Sequence, residues 1–119
     1  MMKALYLSDT DARRAAISRL LEQKDIAFER VDNVTTALRT LMTSRFELII
    51  SELRLKDLDA YDLIKLMRKF NLNQPVIVLD DETNDLERAL VQNEGGFDLV
   101  NSKDLENLST AIEEVLILA

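Results

Sequence analysis

Four short polar clusters, each directly after an apolar run, hold most of the side chains in this sequence that could do chemistry: Ser8-Asp9, Ser51-Glu52, Asp80-Asp81 and Asn101-Ser102-Lys103. Three of them carry carboxylates. Brought to one crevice, Asp9, Glu52, Asp80 and Asp81 would repel one another unless a cation or a basic side chain neutralised them. Lys103, Arg54 and Lys56 are the basic residues nearest in sequence. Asp9, Glu52 and Asp80 make a weak candidate for a divalent-cation site, because hard carboxylate oxygens suit Mg²⁺ or Ca²⁺. A plainer reading competes with it: Asp80-Asp81-Glu82 precedes a helical stretch, and negative charge favours a helix N-terminus.

The composition removes much other chemistry. The sequence has no cysteine and no histidine, which excludes a disulfide framework, the usual thiolate zinc sites and the commonest general base. A net charge of -7 argues against direct nucleic-acid binding, which needs a basic surface, and fits good solubility, a cation or a protein partner. No apolar run approaches the roughly 20 residues of a membrane span, and Met1-Met2-Lys3-Ala4-Leu5 lacks the form of a signal peptide, so the cytoplasm is the expected location. With 119 residues, Gly 2 and Pro 1, one domain folded nearly end to end is expected, without linkers.

The elements that must position the polar clusters follow from periodicity. Strand-like runs occur at Leu5-Tyr6-Leu7, Ile26 to Val31, Phe46 to Ile50, Val76 to Leu79 and Phe97 to Val100. Helical spacing separates them: Ala12, Ala16, Leu20, Leu21; Ala37, Leu38, Leu41; Leu63, Ile64, Met67, Phe70; Leu86, Ala89, Leu90; and Leu105, Leu108, Ile112, Val115. Asp9 or Thr10 is expected to cap the first helix, Thr83 or Asn84 the fourth and Ser102 the fifth, with Gly95-Gly96 ending the fourth. Strict βα alternation predicts an α/β fold, a doubly wound (βα)5 parallel sheet. In such sheets ligands sit beyond the carboxyl ends of the strands, where the four polar clusters fall. A nucleotide site is disfavoured, because Ser8-Asp9-Thr10-Asp11 occupies the turn where a glycine-rich phosphate loop would stand.

The segment from Phe46 to Ala60 then becomes specific. It resembles the stretch around the phosphorylated aspartate in receiver domains of bacterial two-component response regulators, keeping the apolar run, Leu53, Leu55, Asp57 and Asp59. The resemblance covers essentially the whole chain and implies the five-stranded order 2-1-3-4-5. It also implies a degenerate site. Glu52 stands at the phosphoacceptor position, Lys56 at a proline and Ala60 at a glycine. The family's acidic pair for Mg²⁺ falls on Ser8 and Asp9, its phosphoryl-contacting Thr or Ser on Asp80, and its lysine on Ser102, with Lys103 one residue further. The switch aromatic of the fifth strand is missing at Leu99 and Val100.

These departures imply an atypical receiver, a pseudo-receiver that needs no cofactor or metal, is no enzyme and signals through contact without phosphorylation. The alternative is a divergent active receiver that autophosphorylates on Glu52 with Mg²⁺, Lys103 swinging into the site. Glu52 could instead imitate a phosphoaspartate, although it carries one negative charge where the phosphorylated residue carries about two. Ser51 should point to the opposite strand face, and Asp57 and Asp59 read as loop and helix-capping residues. The family's partner and self-dimer face, helix four, strand five and helix five, corresponds here to Asn84 to Asn93, Phe97 to Val100 and Asp104 to Leu118, with Arg88, Gln92 and Asp98 expected exposed. The apolar end Val115-Leu116-Ile117-Leu118-Ala119 leaves two expectations: the amino-terminal part of a longer regulator, with an effector such as a transcription domain beyond it, or an end packed as the last turn of helix five.

Overall fold

A computed structural model describes residues 2–118. Five strands alternate with five helices: β1 (Lys3–Leu7), α1 (Arg14–Gln23), β2 (Ala27–Val31), α2 (Val34–Thr43), β3 (Leu48–Glu52), α3 (Ala60–Lys69), β4 (Val76–Asp80), α4 (Asp85–Glu94), β5 (Asp98–Asn101) and α5 (Leu105–Leu118). The five strands pair in parallel throughout, in the order β2-β1-β3-β4-β5. The fold class and strand order are those expected.

The alternation of side chains along each strand divides the core between the two faces of the sheet. Leu5, Leu7, Ile49, Val78 and Leu99 pack with Ala37, Leu41, Leu63, Met67 and Val91 from α2, α3 and α4. Ala4, Tyr6, Leu48, Ile50, Ile77, Leu79 and Val100 pack with Ile17, Leu21, Leu108, Ile112 and Val115 from α1 and α5. Near-continuous apolar strands of this kind suit a sheet covered on both sides.

The third strand lies two residues later than Phe46 to Ile50, because its ladder with β1 begins at Ala4↔Leu48 and reaches Leu7↔Ser51. Glu52 is therefore the last residue of a buried strand and not a loop residue, and Asp80 and Asn101 likewise end β4 and β5. Asn84 and Gly95 behave as expected: the Asn84 side chain accepts from the Glu87 N–H at 2.8 Å, and Gly95 closes α4 at φ 111°.

Two caps need correction. The first helix begins at Arg14, beyond both Asp9 and Thr10, and Thr10 instead accepts from the Ala12 N–H at 3.2 Å in a local turn. The fifth helix is capped by Asp104, which accepts from the Asn107 N–H at 3.0 Å, while Ser102 is buried and bonded elsewhere.

Helical spacing also misassigned one face. In α4 only Val91 is buried, and Leu86, Ala89 and Leu90 lie exposed. Phe70, just past α3, is exposed as well. At the end of α5, Val115 packs while Leu116, Ile117 and Leu118 are exposed, so the last turn is helical without being covered; Ala119 lies outside the described residues. No helix among the described residues is long and apolar enough to cross a membrane.

Candidate functional site: a carboxylate crevice at the strand ends

Parallel ladders bring Glu52, Asp80 and Asn101 to one edge of the sheet. The Leu53 N–H donates to the Leu79 carbonyl at 2.7 Å and the Ser102 N–H to the Asp80 carbonyl at 2.9 Å, holding the ends of β3, β4 and β5 in register. Along β3 the Glu52 side chain shares a face with Leu48 and Ile50, towards α1 and α5, while Ser51 takes the other, as expected.

Glu52 is only 9% exposed, and its buried Oε1 has no hydrogen-bond partner. The buried hydroxyl of Tyr6 likewise makes no geometrically complete hydrogen bond, while the neighbouring Ser8 hydroxyl donates to the Thr10 carbonyl at 2.9 Å and accepts from the Thr10 N–H at 3.3 Å. Burial pushes the Glu52 carboxyl up to about 7, and the negative charges of Asp81, Asp80 and Asp9 push the same way. Arg13 opposes them.

Arg13 went unrecognised in the sequence. The expected neutralising cations were Lys103, Arg54 and Lys56, yet among the described residues none of these three forms an ion pair, whereas Arg13 pairs with Asp81. Asp81 also accepts from the Ser102 hydroxyl, and that bond, with Arg13 and Lys103 nearby, holds its carboxyl below the usual carboxylate range. The only available signal was position: a basic residue four places after Asp9, on a loop entering a helix over the sheet edge.

The family's Mg²⁺ does not fit this donor set. Ser8 offers no carboxylate and has committed its hydroxyl to Thr10, and among the described residues no three acidic side chains are grouped to hold a metal ion. Asp9 and Asp80 bear on Glu52 through their charge, and among the described residues the three are not grouped as a set of ligands. Chemically, the crevice holds a protonatable acid among fixed negative charges, with one guanidinium and one hydroxyl turned to Asp81.

Away from the crevice, Asp57 and Asp59 cap helices, as expected. Asp59 forms a capping box with Asp62 at the start of α3. Asp57 reaches across to α2, accepting from Val34 N–H, Thr35 N–H and the Thr35 hydroxyl, each at 3.1 Å. On the α4–β5 side Gln92 is exposed, but Asp98 is not: it is buried and clamps Arg88 through bonds of 2.6 and 3.2 Å. The Arg88–Asp98 pair ties α4 to β5 and presents no free carboxylate.

The response regulator receiver domain family matches residues 5–113. Among curated proteins the chain is similar to the probable transcriptional regulatory protein SilR of Salmonella typhimurium, 27% identical over 78 residues, 66% of this chain and 34% of that protein. It thus covers about a third of the length of such relatives. The structure is similar to the receiver domain of the Francisella response regulator 1452, with a TM-score of 0.88 and 22% identity over 97% of this chain and 96% of that one. It is also similar to the structure of the Saccharomyces cerevisiae phosphotransfer protein Ypd1 with the receiver domain of its downstream response regulator Ssk1, with a TM-score of 0.80 and 17% identity over 91% and 83% of the two chains. The fold, the strand order and the extent of the family match agree, and the chain belongs to the response regulator receiver domain family.

Proposed function

We propose that this receiver domain of a two-component response regulator signals by protein contact without being phosphorylated, in the cytoplasm. The observation that carries the reading is the environment of Glu52. A phosphoryl group delivered there would enter beside Asp80 and Asp81, which repel it, and would find the Ser102 hydroxyl bonded to Asp81 and Ser8 bonded to Thr10. The nucleophile is also one methylene longer than aspartate, which displaces it from in-line geometry. Imitation of phosphoaspartate is weakened too, because a carboxyl pushed up to about 7 is only partly charged at neutral pH.

Output then falls to a surface. The face of α4, β5 and α5, with exposed Leu86 and Leu90, is the contact surface in this reading, and an effector in a longer protein, of the transcriptional kind named for SilR, is what it would regulate.

Amide NMR spectra recorded during addition of Mg²⁺ and then beryllofluoride test this. The expected result is no saturable shift around Asp9, Glu52, Asp80 and Lys103. Shifts that saturate there and spread to β5 would overturn it in favour of autophosphorylation at Glu52.

A further inference from the structure

Opposite charge is segregated across this molecule. Residues 73–119 carry eleven acidic side chains against two basic ones, and one of the two, Arg88, is taken up by Asp98. The α2–α3 side is the reverse. Helix α2 has Arg39 and no acid, Arg45 follows it, and α3 has Lys65, Arg68 and Lys69 against Asp62, which belongs to the capping box. Among the described residues none of these five cations has an ion-pair partner.

Each side also exposes apolar surface of a different shape. Between α2 and α3 runs an open groove of about 410 Å³ whose floor is Leu38, Met42, Leu58, Leu66 and Phe70, with Arg39 on its wall. Met42 is 56% and Phe70 49% exposed. On α4, Leu86 at 72% and Leu90 at 49% stand one turn apart as a ridge, with Asp85, Glu87 and Glu94 on the same helix.

We propose that the α2–α3 groove receives the α4 ridge of a second copy of this chain, giving head-to-tail association. An amphipathic helix laid into an apolar groove is read through anchors at i and i+4, which Leu86 and Leu90 supply. The basic wall meets the acidic helix, whereas α4 against α4 or groove against groove would set like charges together. Nucleic acid would be drawn to the same cations, but a floor of five apolar side chains matches a leucine ridge better than a phosphate backbone. The inference rests on the reading of α4 as a contact face and adds the surface that receives it.

Sedimentation velocity over a protein concentration series, at salt from about 20 mM to about 0.5 M, tests it. Self-association that weakens with salt is expected. Paired variants R39E/K69E, which reverse Arg39 on the groove wall and Lys69 next in sequence to the lining Phe70, and L86E/L90E on the ridge each change exposed positions, and circular dichroism verifies their folding. Each should self-associate about tenfold or more weakly. An equimolar mixture of the two should recover a one-to-one pair and stop there, because each supplies the surface the other lacks.

A symmetric α4–α4 dimer would leave R39E/K69E at wild-type strength and give no recovery on mixing. That outcome overturns the inference while leaving the contact-face reading standing. A chain monomeric throughout overturns it as well, and mixed-sequence DNA bound by the monomer and lost in R39E/K69E would reassign the groove to nucleic acid.

Discussion

Glu52 and Asp57 lie five residues apart in the β3–α3 segment and have met opposite fates. Glu52 ends a buried strand whose own N–H is spent in the sheet, so its carboxyl finds no donor for Oε1 and is pushed up to about 7. Asp57 sits on a loop beside the open end of α2. Burial is the largest single influence on it and raises its pKa, but the N–H groups of Val34, Thr35 and Leu58 and the Thr35 hydroxyl together outweigh that and hold it below the ordinary carboxylate range. With Asn33 accepting from the Thr36 N–H at 2.7 Å, three of the unpaired donors at the start of α2 are satisfied by two side chains. Carboxylates in one short segment thus serve as a stored destabilisation and a structural tie, and the supply of free backbone donors decides which.

The strongest way to break this contrast is Glu52→Gln. In the unfolded chain the Glu52 carboxyl loses its proton near 4.5, whereas in the folded protein it does so at about 7. Stability contributed by the protonated form is therefore complete below about pH 4.5, falls as pH rises towards 7, and stays low above it. At about 1.4 kcal/mol per pH unit the loss is roughly 3 kcal/mol. Urea unfolding at pH 8 should find Glu52→Gln more stable than wild type by about that order, with the two converging near pH 4. Parallel pH profiles would show that Glu52 ionises as freely folded as unfolded.

Asp57→Ala should act in the opposite sense and by less. Loss of a helix cap costs about 1 kcal/mol, and the α2 cap of Asn33 remains to limit the damage. The sign with pH is reversed: a carboxyl held low stabilises above its ordinary pKa, and the contribution disappears as pH falls through the depressed value. Hydrogen exchange of the Thr35 amide, measured at neutral pH, should quicken in the variant. Unchanged exchange would mean that Asp57 is only a loop residue.

The sequence made some of this legible and hid the rest for definable reasons. Strand and helix alternation, the sheet order implied by the family resemblance, and Asp59 and Asn84 as caps rest on short-range patterns, and all of them hold. The third strand lies two residues later than expected because Phe46 to Ile50 is more apolar than Leu48 to Glu52, while the boundary is set by pairing with β1, a tertiary fact. Leu86, Ala89 and Leu90 have core-like spacing, yet only Val91 faces the sheet; periodicity finds a stripe but not the side it faces. Asp98 looked like a surface acid because nothing local signals the Arg88 clamp. Arg13 was missed because its role depends on Asp81, 68 residues away.

Arg13 gives the finest test of the crevice, since it and Asp81 act on Glu52 with opposite signs. Arg13→Met keeps the apolar stem and removes the charge, so the Glu52 midpoint, followed by carboxyl-detected NMR titration, should rise above its wild-type value. Asp81→Asn removes a like charge and also frees the guanidinium from its ion pair, so the midpoint should fall. Both shifts should be smaller than the effect of burial, the largest influence on Glu52. Opposite displacements would establish that the crevice is tuned by this one ion pair. Displacements of the same sign, or none, would leave desolvation alone in control of Glu52, and Arg13 would then serve only to tie the β1–α1 loop to the end of β4.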